Sequence, residues 1–123
     1  MIGLGVDLCE ISRIEKTLEK GDSFLNRYYA PSEREWLSAR GAVKAQSAAA
    51  MFAAKEALLK ALGVGLSGGA AMNEIAVEHD EAGCPRYALT GAAARLLRER
   101  GAKTAHLSLT HEAGMACAVC VIE

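Results

Sequence analysis

The candidate chemistry of this chain is concentrated in residues 51–63, MFAAKEALLKALG, which read as an apolar helix ending in a glycine. Glu56 and Lys60 lie four positions apart within it, and side chains at that spacing share one face of a helix. The carboxylate could hold a divalent cation, and the lysine one turn later could meet an anion bound to that cation. The alternative is a weak ion pair on a solvated helix face, which the same spacing often produces.

A second carboxylate, Asp7, lies near the start of the chain in the alternating segment IGLGVDL, residues 2–8. The alternation predicts a β-strand, and it places Asp7 on the same face as two glycines, where another group can approach closely. Mg²⁺ typically takes one or two carboxylates and completes its coordination with water and substrate phosphates. Asp7 and Glu56 are therefore the candidate magnesium ligands, although Asp7 by itself is equally typical of a helix N-cap or a strand-end charge.

A glycine-rich segment, GVGLSGG at 63–69, follows the apolar helix. Backbone N–H groups in such a loop can approach phosphate closely, which makes Gly63 and Gly65 candidate ligand-binding positions. Gly63 is equally typical of the residue that terminates a helix.

Length, composition and charge narrow the class of protein. The chain has 123 residues, 51% of them hydrophobic, and a net charge of −1. We therefore expect one globular domain over residues 1–123 that binds no nucleic acid. The start lacks the basic region of a secretory signal, and no apolar run approaches the roughly 20 residues of a membrane span. We expect a cytoplasmic protein whose four cysteines stay free thiols, with Cys117 and Cys120 on opposite faces of a strand.

The order of predicted elements defines the fold class. Strands are expected at 2–8, 73–80, 86–90, 106–111 and 115–123, and helices at 9–19, 24–29, about 31–40, about 42–62 and 91–101. The pattern predicts an α+β fold in which a small, mostly antiparallel sheet packs on one long central helix.

Three segments of the chain resemble the signatures of one known family. GLGVDLCEISRI at the start, FAAKEALLKALGVG in the middle and LSLTHEAGMACAVCVIE at the end are similar to holo-[acyl-carrier-protein] synthases, the small bacterial members of the phosphopantetheinyl transferase superfamily. FLNRYYAPSE and EAGCPRYAL resemble weaker signatures of the same family. The resemblance runs almost from end to end, and it implies a phosphopantetheinyl transferase-like fold.

The resemblance implies a group transfer. Coenzyme A would donate its phosphopantetheine arm to a serine hydroxyl of apo-acyl carrier protein, leaving adenosine 3′,5′-bisphosphate. Asp7 and Glu56 would hold Mg²⁺, Lys60 would lie beside the coenzyme A phosphates, and these three form the expected catalytic set. The group that takes the serine proton stays open between Glu56 and a metal-bound water.

The resemblance also assigns binding residues. His111 and Pro85 are expected to contact coenzyme A, although a solvated turn histidine is the alternative for His111. Arg13 matches the carrier-docking arginine of the family, and a basic face with Lys16, Lys20 and Arg27 would suit an acidic carrier. An ordinary solvated helix face is the alternative, because acidic residues interleave with these cations.

The family is typically homotrimeric with active sites between subunits, and we expect the same here. The chain departs from the family pattern at five positions away from the expected catalytic set: Ala30, Met51, Val64, Cys84 and Glu112. These departures keep two other functions open: a coenzyme A-binding paralogue without turnover, or the same transferase acting on a specialised carrier. His79 and His106 match no functional position and are expected to be structural.

Overall fold

The computed structural model describes residues 1–65 and 69–123. Its strands are β1 (Gly3–Glu10), β2 (Ile75–His79), β3 (Pro85–Leu89), β4 (Ala105–Glu112) and β5 (Met115–Ile122). Its helices are α1 (Ile11–Glu19), α2 (Ser23–Tyr28), α3 (Pro31–Ser38), α4 (Lys44–Ala61) and α5 (Gly91–Glu99). The predicted α+β class and its long central helix are confirmed. The predicted glycine-rich segment at 63–69 lies partly outside the described residues.

Two predicted boundaries differ from the structure for local reasons. Strand β1 continues to Glu10 before α1 begins, because its pairing with β5 extends to the pair Glu10–Met115. Strand β2 begins at Ile75 and not at 73, because Met72–Glu74 forms a 3-10 turn. The Glu74 carboxylate accepts a hydrogen bond from the backbone N–H of Ala71 at 2.8 Å, which stabilises that turn.

The strands form two sheets instead of one. The larger sheet has the order β1-β5-β4, and the smaller consists of β2 and β3. Every pairing in both sheets is antiparallel within the part of the chain that the structure describes. Strand β5 is therefore the centre of the larger sheet, and β1 and β4 form its two edges.

Strand β1 packs against α4 through its glycine face. A Cβ atom at Gly3 would lie 2.1 Å from the carbonyl oxygen of Ala61, and one at Gly5 would lie 1.9 Å from that of Ala57. Neither distance leaves room for a side chain, so only glycine allows the strand to approach the helix backbone this closely. Asp7 is the next residue on the same face of the strand.

On the opposite face of the larger sheet, the part formed by β1 and β5 is apolar and open to solvent. Leu4, Val6 and Leu8 are 58%, 52% and 60% exposed, and Val119 lies beside Val6 on the neighbouring strand. The alternation of β1 thus places small residues toward the helix and large apolar ones toward solvent. Exposed apolar residues grouped in this way make this part of the sheet a candidate interaction surface.

The cysteines behave as the strand pattern predicts. All four are free, and Cys120 is buried on the inner face of β5 while Cys117 is only partly buried. Burial raises the pKa of the Cys120 thiol to about 11, so this thiol is inert at neutral pH. No helix among the described residues has the length and apolar character needed to cross a membrane.

Candidate active site

The close approach of β1 to α4 brings Asp7 and Lys60 together. The Lys60 ammonium lies 3.1 Å from the Asp7 carboxylate and donates a second hydrogen bond to the carbonyl oxygen of Val6 at 3.0 Å. The Asp7 side chain is only 10% exposed, whereas that of Lys60 is 55% exposed. Lys60 therefore connects its helix to the strand. Its ion-pair partner is Asp7 and not Glu56, the partner that the helical spacing allowed.

Glu56 is the second carboxylate at this junction. Burial raises its pKa above the ordinary value of 4.5, and the neighbouring Asp7 carboxylate raises it further. The charges of Lys60 and Arg13 act in the opposite direction. Two carboxylates crowded into a half-buried site leave negative charge that a bound cation would neutralise.

This donor set fits magnesium. Among the described residues no group of three or more histidines, cysteines and acids could hold a metal by itself. Magnesium does not need one, because it usually binds through one or two carboxylates and takes its remaining oxygens from water and substrate phosphates. Asp7 and Glu56 supply that minimal pair, and the exposed Lys60 beside them suits an anion.

Arg13 lies at the margin of the same site. Its guanidinium contacts the sulfur of Cys9 at 3.9 Å, and it is near enough to lower the pKa of Glu56. Arg13, Lys16, Lys20 and Arg27 are all exposed, as a docking surface requires. The predicted basic face would therefore begin beside the two carboxylates.

The two candidate glycines have different surroundings. Gly63 has a φ of +74°, and its N–H donates to the carbonyl oxygen of Lys60 at 3.0 Å. This is the geometry of a helix C-cap, so the Gly63 N–H is already used. No atom of residues 1–65 or 69–123 lies within 4 Å of the place that a Cβ of Gly65 would occupy.

The remaining predicted binding residues lie elsewhere. His111 and Pro85 line a cavity of about 600 Å³, and His111 contacts the Gln46 amide at 3.2 Å. His111 is on β4, whereas Asp7 is on β1, and these strands are opposite edges of one sheet. Within one chain the structure thus joins Asp7, Glu56 and Lys60 but keeps them apart from His111 and Pro85.

A buried ion pair that the sequence did not predict holds α4 on its other side. Lys55 is fully buried, and its ammonium lies 2.6 Å from the Glu33 carboxylate. It also donates to the carbonyl oxygens of Met72 and Ile75 at 3.2 Å and 2.7 Å. Burial lowers the Lys55 pKa, and the Glu33 charge opposes that shift. The sequence showed only a lysine among apolar residues. It did not predict the pair, because Glu33 lies 22 positions away from Lys55.

Comparisons with known proteins identify the family of this chain. The sequence model of the 4′-phosphopantetheinyl transferase superfamily matches residues 3–120, and the chain belongs to that superfamily. Within it, the chain is 46% identical to the holo-[acyl-carrier-protein] synthase of Trichlorobacter lovleyi, covering 100% of this chain and 98% of that one. It is 44% identical to the enzyme of the same name from Treponema denticola, with the same coverage.

Solved structures show the same fold. The holo-[acyl-carrier-protein] synthase of Neisseria meningitidis aligns with a TM-score of 0.90 at 31% identity, over 100% of this chain and 98% of that one. The Helicobacter pylori synthase, solved in complex with coenzyme A, aligns with a TM-score of 0.84 at 30% identity, over 98% of this chain and 99% of that one.

The raised pKa of Glu56 predicts a pH-dependent effect on stability. A carboxyl whose pKa is higher in the folded protein opposes folding once it is ionised, and has no effect where it is protonated in both states. Glu56→Gln should therefore raise the urea midpoint at pH 7 in buffer without divalent cations. The gain should vanish as the pH falls below about 4.5, the ordinary carboxyl value. The control Glu35→Gln, on the exposed side of α3, should change the midpoint little at either pH. A Glu56→Gln protein that is less stable than its parent at pH 7 would contradict the crowding of the two carboxylates.

Proposed function

We propose that this protein is a holo-[acyl-carrier-protein] synthase. It transfers phosphopantetheine from coenzyme A to a serine of apo-acyl carrier protein and releases adenosine 3′,5′-bisphosphate. The observation that carries the proposal is the junction of Asp7, Glu56 and Lys60, formed in a chain whose relatives of that name match over its full length.

The junction suits attack on a pyrophosphate. The reacting phosphorus is surrounded by negative oxygens, so catalysis consists mainly of positioning and charge neutralisation. We propose that Asp7 and Glu56 hold Mg²⁺, which when bound would neutralise phosphate charge. The exposed Lys60 ammonium, anchored by Asp7 and Val6, would contact the same phosphates. The serine proton would be accepted by Glu56 or by a metal-bound water.

We infer that the working form is a homotrimer with active sites between subunits. Two observations support it. The face of β1 and β5 that carries Leu4, Val6 and Leu8 is apolar and exposed. The carboxylate junction and the His111 cavity lie at opposite edges of the sheet, an arrangement in which a second subunit could complete the site at either edge.

The basic face is the proposed docking surface for the carrier. Arg13 is near enough to lower the pKa of Glu56, so an acidic partner bound to this face would lie near the reacting phosphate. Lys16, Lys20 and Arg27 extend the positive charge away from the site. We propose that residues 1–123 form one domain. We also propose that the protein acts in the cytoplasm, since its four free cysteines suit a reducing compartment.

The transfer itself is the first test. Incubation with coenzyme A, Mg²⁺ and an apo-carrier should raise the mass of the carrier by one phosphopantetheine. Asp7→Asn and Glu56→Gln should each lower the rate by about a hundredfold or more, because each removes charge stabilisation at the phosphate. Glu35→Gln, which changes an exposed carboxylate on α3, is the matched control and should act normally. If no apo-carrier gains mass, the transferase proposal is wrong, and the alternative is a coenzyme A-binding protein without turnover. If only a specialised carrier gains mass, the protein is a transferase specific for that carrier.

The trimer has a separate test in its apolar face. Val6→Glu places a charge at the centre of that face, where burial against another subunit is costly. The parent should sediment as a trimer at micromolar concentration, and Val6→Glu should sediment as a monomer with little transfer activity. Val43→Glu is the matched control, because Val43 is similarly exposed (48%, against 52% for Val6) but lies in the turn before α4. An active monomeric parent would overturn the shared-site arrangement.

A further inference from the structure

A second cavity, of about 900 Å³, lies between α5 and the two strands that this helix connects, β3 and β4. Its volume is in the range of small-molecule sites. Among the described residues it shares only Pro85 with the cavity that contains His111, so it is a separate place in the fold. We call this cavity the α5 groove. Its uncharged lining includes Tyr87, Leu89, Ala94, Leu97, Ala105 and Leu107.

The floor of the α5 groove is mostly aliphatic. Helix α5 begins with the sequence GAAA, and the small side chain of Ala94 leaves space between the helix and the strands. The Tyr87 hydroxyl donates its proton to the carbonyl oxygen of Ala54 at 2.6 Å, so that proton is not available to a ligand. Cys84 and Thr104 are the other uncharged side chains of the described lining that can form hydrogen bonds. A floor this poor in hydrogen-bonding groups suits a hydrocarbon chain better than a sugar or a base.

The rim of the α5 groove is basic, and within residues 1–65 and 69–123 no acid lines it. The lining bases, all exposed, are Arg86, Arg98, Lys103 and His106. Arg86 pairs with Asp80 at 3.6 Å, and the His106 ring lies 2.8 Å from the Glu123 carboxylate. Arg98 and Lys103 have no ion-pair partner in the part of the chain that the structure describes. These two cations are therefore uncompensated, and they favour an anion at the rim.

We propose that the α5 groove binds a long-chain carboxylate. The hydrocarbon chain would lie along the aliphatic floor, and the carboxylate would contact Arg98 and Lys103 at the rim. The groove thus complements both parts of such a ligand, since burial of the chain is favourable and the two free cations attract the anionic head. The inference does not depend on the proposed function, because the groove is separate from the carboxylate junction and from the His111 cavity.

Isothermal titration calorimetry with dodecanoate, below its micelle concentration and without divalent cations, measures this binding directly. Each buried methylene should tighten binding about fourfold, so dodecanoate should bind about tenfold more tightly than decanoate. Dodecyltrimethylammonium has the same chain and the opposite charge. It should bind about tenfold more weakly than dodecanoate, because the two free cations repel its head group.

Two variants test the two parts of the site. The double variant Arg98→Gln with Lys103→Gln should lose the preference for dodecanoate over dodecyltrimethylammonium, because both free cations are removed. Ala94→Phe should weaken dodecanoate binding by about tenfold or more, because the added ring occupies the space of the chain. Arg95→Gln is the control, since it removes an exposed arginine of α5 that does not line the groove, and it should bind dodecanoate as the parent does. Circular dichroism checks that each variant is folded.

A parent that does not bind dodecanoate below about 1 mM overturns the inference. Binding that neither the double variant nor Ala94→Phe weakens also overturns it, because the chain then lies elsewhere, as on the apolar face of β1 and β5. If an acidic amphipathic peptide of glutamate and leucine binds in the groove and dodecanoate does not, the occupant is a protein partner and the inference is wrong. Failure of the proposed function looks different. A protein that binds dodecanoate through Arg98 and Lys103, yet transfers nothing to any carrier, would refute the transferase and support the groove.

Discussion

The contact between the β1 backbone and the α4 backbone is the constraint on which the site depends. Gly3 and Gly5 have no side chain, and a Cβ at either would lie within about 2 Å of a helix carbonyl oxygen. Because the strand can therefore lie directly on the helix, the next residue on its inner face, Asp7, reaches Lys60 and Glu56. The same alternation turns the large apolar residues of β1 outward.

The three charged residues of the apolar helix thus have two different roles. Lys55 faces the interior, where Glu33 and two backbone carbonyls satisfy its ammonium and connect α4 to α3 and to the start of β2. Breaking such a pair by removing one partner typically costs about 3–5 kcal/mol, so it restrains the rotation of the helix. Glu56 and Lys60 consequently stay on the side that faces β1.

The sequence predicted the parts of this arrangement that depend on local pattern. Alternation placed Asp7 on the small-residue face, and helical spacing placed Glu56 and Lys60 one turn apart, and both were confirmed. The pairing of Lys55 with Glu33 and the stacking of Trp36 on His79 were not predictable, because each joins residues more than 20 positions apart through tertiary packing. The sequence did not predict the division of the strands into two sheets for the same reason, because strand order depends on tertiary packing and not on local pattern.

The transfer rate of Gly5→Ala tests the central claim most directly. The added methyl group would need the strand to move away from α4 by roughly 1.5 Å to reach ordinary contact with the Ala57 carbonyl, starting from the 1.9 Å separation. A displacement of that size at a catalytic group typically costs about a hundredfold in rate. We expect such a loss in kcat at a temperature where circular dichroism shows the variant to be folded. Gly65→Ala should lose little stability, since none of the described atoms lies near its Cβ position. A folded Gly5→Ala protein with the kcat of the parent would contradict the claim that this contact positions the site.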